Sequence, residues 1–416
     1  VTGRRRFWHV AGAGAAFQAG SSAVDSATVM SALVFQLTGS PVAVGAVSTI
    51  LRLGWLLPQL VVGFLAGRGG SAMPFYAVGA FGRTGAIALL AGVLWIGAAA
   101  GLSPAALGMA TLALWTLYAF LSGIVGVPYN DIVARSVPAD LRSRVLALRF
   151  FGGGVAGLGV AALADRLIRS LEFPTSYAAV FAIAAALMLV SSIVFVAMGE
   201  PDRSAPVRTA DSFATYLREG IVTYRTDRTF RQFVIAQWCG GAVLMAAPFF
   251  VVGTETLGVG LQNVALLLAA QTAGALLSNA LWGWWGDRLG KLSLMRAIAT
   301  ARIGPPLALV VLLVADAPGG TPLPILLGVF FVLGALTNGL TIAVIGLLME
   351  ISPENRRPAY SGYFNALSAP AYLLPLVGGV VAAAFGLTLV FTIAAAAAFG
   401  QSVILFRIRT RNGDDH

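Results

Sequence analysis

The sequence predicts an all-α membrane protein of twelve transmembrane helices, arranged as two six-helix repeats. Three observations carry that expectation. Of 416 residues, 58% are hydrophobic and only 11% are charged, against about 25% charged in a soluble domain. The apolar residues fall in runs of about 20 or more, the length that crosses a bilayer as a helix. The basic residues are dense in alternate loops and sparse in the others, as a multi-pass chain requires.

Twelve runs qualify, at 8–36, 41–67, 74–99, 103–130, 145–168, 174–198, 232–254, 260–285, 293–315, 322–349, 358–384 and 386–406. The first follows Arg4, Arg5 and Arg6. It is read as a span rather than a signal peptide, because it is too long, shows no A-x-A cleavage site and precedes eleven more. With the N terminus inside, 22 of the 27 basic residues fall on the cytoplasmic side, only Arg166 and Arg169 fall outside, and Arg52, Arg83 and Arg302 lie within spans. Both termini are therefore expected in the cytoplasm, beneath the cell's inner or plasma membrane. The net charge of +10 is explained by that one-sided arginine, so no nucleic-acid partner is expected. The mean hydropathy is +0.85. One cysteine, Cys239, and two histidines, His9 and His416, leave no disulfide, no multi-cysteine metal site and no His-based catalytic centre. Neither an enzyme, a cofactor nor a metal is expected, and the chain is read as a monomer in the lipid bilayer.

The longest polar stretch divides the chain into an N-terminal six-helix bundle (1–199), a cytoplasmic loop (200–231) and a C-terminal six-helix bundle (232–416). Within the loop, Phe213, Leu217, Ile221 and Tyr224 recur at helical spacing, the pattern of an amphipathic helix on the inner membrane surface. The two bundles repeat. Gly63 and Arg68 match Gly283 and Arg288, 220 residues later; Arg83 matches Arg302; Pro138 with Arg142 and Arg144 matches Pro353 with Arg356 and Arg357. A six-plus-six repeat is typical of secondary transporters, whose site lies between the halves near the midplane.

The carboxylate deepest in a span is Asp25. A charge at the bilayer centre costs about 2.5–3.5 kcal/mol, so it faces an aqueous cavity or a partner. Spacings of three and four place Gln18, Ser22 and Asp25 on one helical face, with Ser21, Ser26 and Thr28 on its flank. Two readings stay open: a proton or cation site, or a structural ion pair. Arg52 is the natural partner, since both residues sit roughly 16 Å below the outer surface on consecutive helices. Gly152, Gly154 and Gly157 satisfy G-x-G-x-x-G, but no strand precedes them, so they are read as helix-packing glycines rather than a dinucleotide site.

The stretch Gly283-Trp284-Trp285-Gly286-Asp287-Arg288-Leu289-Gly290-Lys291 resembles the loop signature G-x-x-x-D-R-x-G-[RK] of the major facilitator superfamily. Phe35-Gln36-Leu37-Thr38-Gly39-Ser40-Pro41 and Leu56-Leu57-Pro58-Gln59-Leu60 resemble the first two helices of many bacterial members. With twelve spans, a long central loop and the repeat, the resemblance covers nearly the whole chain. It implies a secondary active transporter that moves a small organic solute by alternating access. Proton coupling through Asp25 is one reading of its drive. Export is slightly favoured by a faint likeness of span five, and of Pro375-Leu376-Val377-Gly378-Gly379, to the family's exporter motif. The rival is a non-transporting membrane receptor or scaffold on the same fold.

The resemblance also implies site residues. A gating latch would use Gly283, Asp287, Arg288, Gly290 and Lys291, with Arg288 paired to Glu350. By the repeat, Gly63, Arg68 and Asp131 would form the first-half latch, although Gly67 stands where the family has an acid. Helices that line the family's cavity contribute Trp115, Tyr118 and Ser122, Asn338 and Thr341, Tyr363 and Asn365, and Gln237, beside Gln18, Ser22, Asp25 and Arg52. Each of those side chains has a plainer alternative in helix–helix hydrogen bonding or interfacial anchoring. Arg83 and Arg302 fall on the family's peripheral spans and are read as structural, snorkelling to the inner surface. The cavity is expected to hold few charges, which disfavours highly charged cargo.

Overall fold

The computed structural model describes residues 3–66, 71–137, 141–201, 213–315, 323–353 and 357–408. Its elements are helices because a backbone in lipid must satisfy its own hydrogen bonds. Span one comprises α1 (Gly3–Ser22) and α2 (Val29–Thr38). Spans two to six are α3 (Pro41–Ala66), α4 (Met73–Ala99), α5 (Pro104–Ser136), α6 (Arg142–Ser170) and α7 (Thr175–Val196). The connecting segment forms α8 (Phe213–Thr226). Span seven is α9 (Arg228–Leu244) with α10 (Phe249–Thr256), span eight α11 (Val264–Arg288), span nine α12 (Lys291–Ala301) with α13 (Gly304–Val314), and span ten α14 (Leu323–Ile351). Span eleven is α15 (Arg357–Ser368) with α16 (Leu374–Phe385), and span twelve α17 (Leu387–Arg407). Among the described residues, eleven segments are long and apolar enough to cross a membrane. The remaining expected span is the first, and it is interrupted.

The interruptions have different causes. Span seven breaks just before α10, where Pro248 occupies the N-cap. Span nine restarts on Pro305 and Pro306 at the head of α13. Proline cannot donate its backbone nitrogen, so the helix ends ahead of it. Span one contains no proline at its break. There the Asp25 Oδ1 accepts from the Ala27 and Thr28 backbone N–H groups at 3.0 and 2.9 Å and from the Thr28 hydroxyl at 2.8 Å. Short polar side chains that bond the local backbone compete with the helix and win here. The continuous polar stripe expected along span one is therefore broken in two: Ser26 turns toward one cavity and Asp25 toward another.

The first six spans pack through α3 and α4 on α5, α1 on α6 and α7, and α4 on α7. The last six pack through α11 on α14, α9 on α17 and α12 on α14. The two most extensive contacts between the sets are α3 with α16 and α6 with α11, and α2 also meets α10 and α11. The side carrying the chain termini is here the terminal side, and its opposite the far side. On the far side one apolar core runs through both sets, from Leu33, Val44 and Phe181 to Phe250, Leu309 and Phe391. On the terminal side the core divides. Tyr76, Ile132 and Phe195 form a cluster in the first set, and Phe233, Met295 and Leu347 form a separate one in the second. Polar bonds add to the far-side seam. The Arg169 Nη2 donates to Asn263 Oδ1 at 3.2 Å, and the Leu376 N–H donates to Thr49 Oγ1 at 3.1 Å.

The amphipathic segment folds as α8, and it meets protein on one face. It packs on α15. Gly220 sits against the Tyr363 ring, and the Tyr363 hydroxyl donates to Glu219 at 2.8 Å. Ile221 and Val222 stay exposed on the other face, available to the bilayer surface.

Candidate functional site

A cavity of about 190 Å³ lies between the two sets of spans, walled by α1, α6, α11 and α14. Asp25 is its only charged lining residue among those described. Four amides surround it: Gln18, Gln271, Asn279 and Asn338. Ser22 and Thr272 complete the polar wall. The Asn338 Nδ2 donates to Asn279 Oδ1 and to the Ala275 carbonyl, both at 3.2 Å. Of the Asp25 oxygens, Oδ1 accepts the three bonds of the turn, and Oδ2 accepts none among the described residues. An ionised carboxylate accepts only, whereas amides both donate and accept. The cavity can therefore hold a proton or cation at Asp25 and a polar solute on the amides. Gly153, Gly154 and Gly157 make this closeness available. A Cβ at Gly153 would meet the Gln18 Cβ at 2.4 Å, one at Gly154 the Leu276 Cδ1 at 3.0 Å, and one at Gly157 the Ser22 Oγ at 3.2 Å. The G-x-G-x-x-G stretch thus packs span five onto spans one and eight.

Arg52 does not join that cavity. No ion pair links it to Asp25 among the described residues; its guanidinium sits 5.5 Å from the Tyr372 ring centroid of span eleven. The break in span one aims Asp25 elsewhere. Arg52 instead lines a cavity of about 510 Å³ inside the first six spans, together with Tyr118 and Ser122. Arg83 and Arg149 line it too. Neither arginine expected to snorkel does so. Arg83 is 5% exposed and lies 3.8 Å from the centroid of the Phe17 ring; Arg302 is 7% exposed and donates to Gln401 Oε1 at 2.9 Å and to the Gly240 carbonyl at 3.1 Å.

The other cavity candidates separate. Trp115 is buried, stacks on Tyr118 and donates its indole N–H to the Val47 carbonyl at 2.9 Å, pinning span four to span two. Gln237 accepts from Gln401 at 3.3 Å inside the last six spans. Tyr363 belongs to the α8 contact described above. Asn365 is exposed, and the Thr341 hydroxyl turns back to the Thr337 carbonyl at 3.2 Å. None of these five lines the cavity around Asp25.

At the terminal ends, Asp287 pairs with Lys291 at 2.7 Å, one turn along the chain. Among the described residues no salt bridge joins Arg288 to Glu350, and both are exposed. Gly283 and Gly290 flank this turn; Gly290 takes φ of +85°, which a side chain rarely adopts. Gly63 lies in α3, but Arg68 and Pro138 lie outside the described residues, so the expected Arg68–Asp131 pair does too. Asp131 is bonded to Arg135 at 2.7 Å, and Arg135 reaches Glu200 at 2.6 Å. Glu200, which hydropathy does not single out, sits at the head of α4. It accepts from the Ala72 and Met73 N–H groups, both at 3.0 Å, and from the Ser71 hydroxyl. A carboxylate is favoured at a helix N-terminus, and Glu200 supplies one beside the loop in which Gly67 replaces an acid. Burial alone would raise its carboxyl, but the Ser71, Ala72, Arg135 and Met73 bonds hold it down at about 2.

Residues 245–415 match the sequence model of the Major Facilitator Superfamily. No curated protein matches the chain. Solved structures resemble it over its full length. A mutant of the nucleoside transporter NupG gives a TM-score of 0.75 at 13% identity, covering 97% of this chain and 99% of that one. An auto-inhibited POT family peptide transporter gives 0.75 at 13% identity, covering 98% of both. A D-xylose-proton symporter gives 0.69 at 16% identity, covering 97% of both. The chain thus matches the Major Facilitator Superfamily model over residues 245–415 and shares its fold with these transporters over nearly its whole length.

Proposed function

We propose that this protein is a secondary active transporter that carries a small organic solute across the cell membrane by alternating access, coupled to protons through Asp25. The observation that carries the reading is the Asp25 cavity. It holds one carboxylate at a helix break, ringed by amides, and its walls come from both halves. A site placed there changes its exposure whenever the halves rock. The continuous far-side core and the divided terminal-side core are what one end of such a cycle requires. With the termini in the cytoplasm, this state opens inward. Export stays slightly favoured over uptake, on the faint likeness of span five to the family's exporter motif.

The test is solute flux in proteoliposomes with an imposed pH gradient, screened over metabolites and amphipathic drugs. We expect at least one solute to move only when the gradient is present, with protons moving in step. A chain that binds solutes yet moves none under either gradient direction would be a receptor on this fold.

A further inference from the structure

We infer that the larger cavity, inside the first six spans, is a binding site for an organic anion, with a carboxylate held among Arg52, Arg83 and Arg149. The starting observation is charge. Three guanidinium groups line one cavity of about 510 Å³, and none of its described lining residues is an Asp or Glu. A buried charge without a partner is costly, and three of one sign add mutual repulsion in a low-dielectric interior. The Nε atoms of Arg83 and Arg149 are buried with no hydrogen-bond partner. Arg83 has the Phe17 ring against it and no hydrogen bond or salt bridge among the described residues. Arg149 uses Nη1 on the Tyr129 hydroxyl at 2.9 Å. Unsatisfied buried donors call for an explanation, and an anion supplies acceptors for all of them.

The repeat provides an internal control. Arg302 occupies the position equivalent to Arg83 in the second half, and there the protein satisfies it with Gln401 and the Gly240 carbonyl. One copy is self-contained; the other faces a cavity with donors to spare. Arginine presents its donors in a planar fork that matches a carboxylate. The wall also presents aromatic rings, among them Phe17, Trp55 and Tyr118, which suit a flat apolar body. This points to a monoanionic aromatic carboxylate. It also revises the expectation of a cavity with few charges. The inference rests on the transport reading only in calling this anion cargo.

The experiment is thermal unfolding of the purified full chain in detergent, titrated with benzoate, with indole-3-acetate and with the neutral analogue benzamide. Ligand that binds the folded state raises its apparent stability. We expect both carboxylates to raise the Tm in a dose-dependent way and benzamide to leave it unchanged. Arg83→Gln should weaken carboxylate binding by about tenfold or more, the effect of one lost charge-assisted hydrogen bond. Arg52→Gln, on a less buried residue, serves where Arg83→Gln does not fold. Arg166→Gln, exposed on span five, should bind as the parent does. Carboxylates that act no better than benzamide, or act equally on the parent and both cavity variants, would overturn the site. Anion binding without flux removes the transport reading and leaves the site. Gradient-driven flux with no anion binding removes the site and leaves transport.

Discussion

Asp25 carries two tasks on one side chain. Its Oδ1 holds the turn that interrupts span one, and in the proposed cycle the same carboxylate carries the proton. The two can be separated chemically, because the Asn amide oxygen can accept the same local hydrogen bonds but cannot carry the proton. Asp25→Asn should keep the parental Tm and lose pH-driven flux, retaining exchange without a gradient. Asp25→Ala should also lose stability, by about 1–3 kcal/mol, because the Ala27 and Thr28 donors lose their acceptor. Parental gradient-driven flux in Asp25→Asn would end the proton-coupling proposal. Glu200 makes a second residue-scale prediction. Its carboxyl is held below the ordinary value of 4.5, at about 2, so its contribution is fully present above pH 4.5 and is lost as pH falls through about 2. Glu200→Gln should therefore lower the Tm by a constant amount near neutrality, with the gap to the parent closing as the buffer is acidified below pH 4.5. A gap that widens on acidification would contradict this assignment.

At the scale of elements, glycine sets how closely helices cross. A Cβ on Gly274 would lie 1.9 Å from the Phe331 carbonyl oxygen, and one on Gly334 would lie 1.8 Å from that of Gln271. Spans eight and ten thus meet backbone to backbone, reciprocally. The first half has its own such crossing, where a Cβ on Gly123 would fall 2.5 Å from the Gly54 carbonyl oxygen. Carbonyl oxygens of rigid helices cannot step aside as a flexible side chain can. Gly334→Ala should cost about 1–3 kcal/mol or more through overpacking, whereas Gly328→Ala, with nothing within 4 Å on the same helix, should be neutral or slightly stabilising. Thermal unfolding of the two variants side by side checks the ordering. Equal Tm values would show that α11 and α14 can separate freely. These two walls also line the Asp25 cavity, so the crossing fixes where Gln271 and Asn338 stand.

At the scale of the whole molecule, the two halves share a core on one side only. Transport requires that side to part. Arg169 and Asn263 meet across it, so Arg169→Cys with Asn263→Cys, in a chain with Cys239→Ser, should cross-link on oxidation and arrest flux, with reduction restoring it. Full flux in the cross-linked protein would mean that the far side never opens. Orientation is checked separately. Cysteines at Glu172 and Arg225 should label from opposite faces of the membrane; labelling from one face would refute the topology drawn from the basic residues.

Hydropathy and charge alone determined the twelve spans, the terminal-side arginines and the repeat, because burial in lipid leaves a signature in composition that needs no tertiary contact. Asp25 was equally legible, since a lone carboxylate in an apolar run is expensive wherever it points. Its direction was not. A depth calculation places Asp25 level with Arg52, but local hydrogen bonds by Asp25 and Thr28 break span one and turn the carboxylate to the other half. Arg83 and Arg302 read alike in sequence, and only packing made one self-satisfied and the other a cavity wall. Glu200 was invisible, because a carboxylate just past a span looks like any boundary charge until folding carries it to the head of α4. Periodicity says how far into the membrane a residue lies; which neighbour it faces is set by helix rotation, helix breaks and glycine crossings, and those exist only once the bundle is packed.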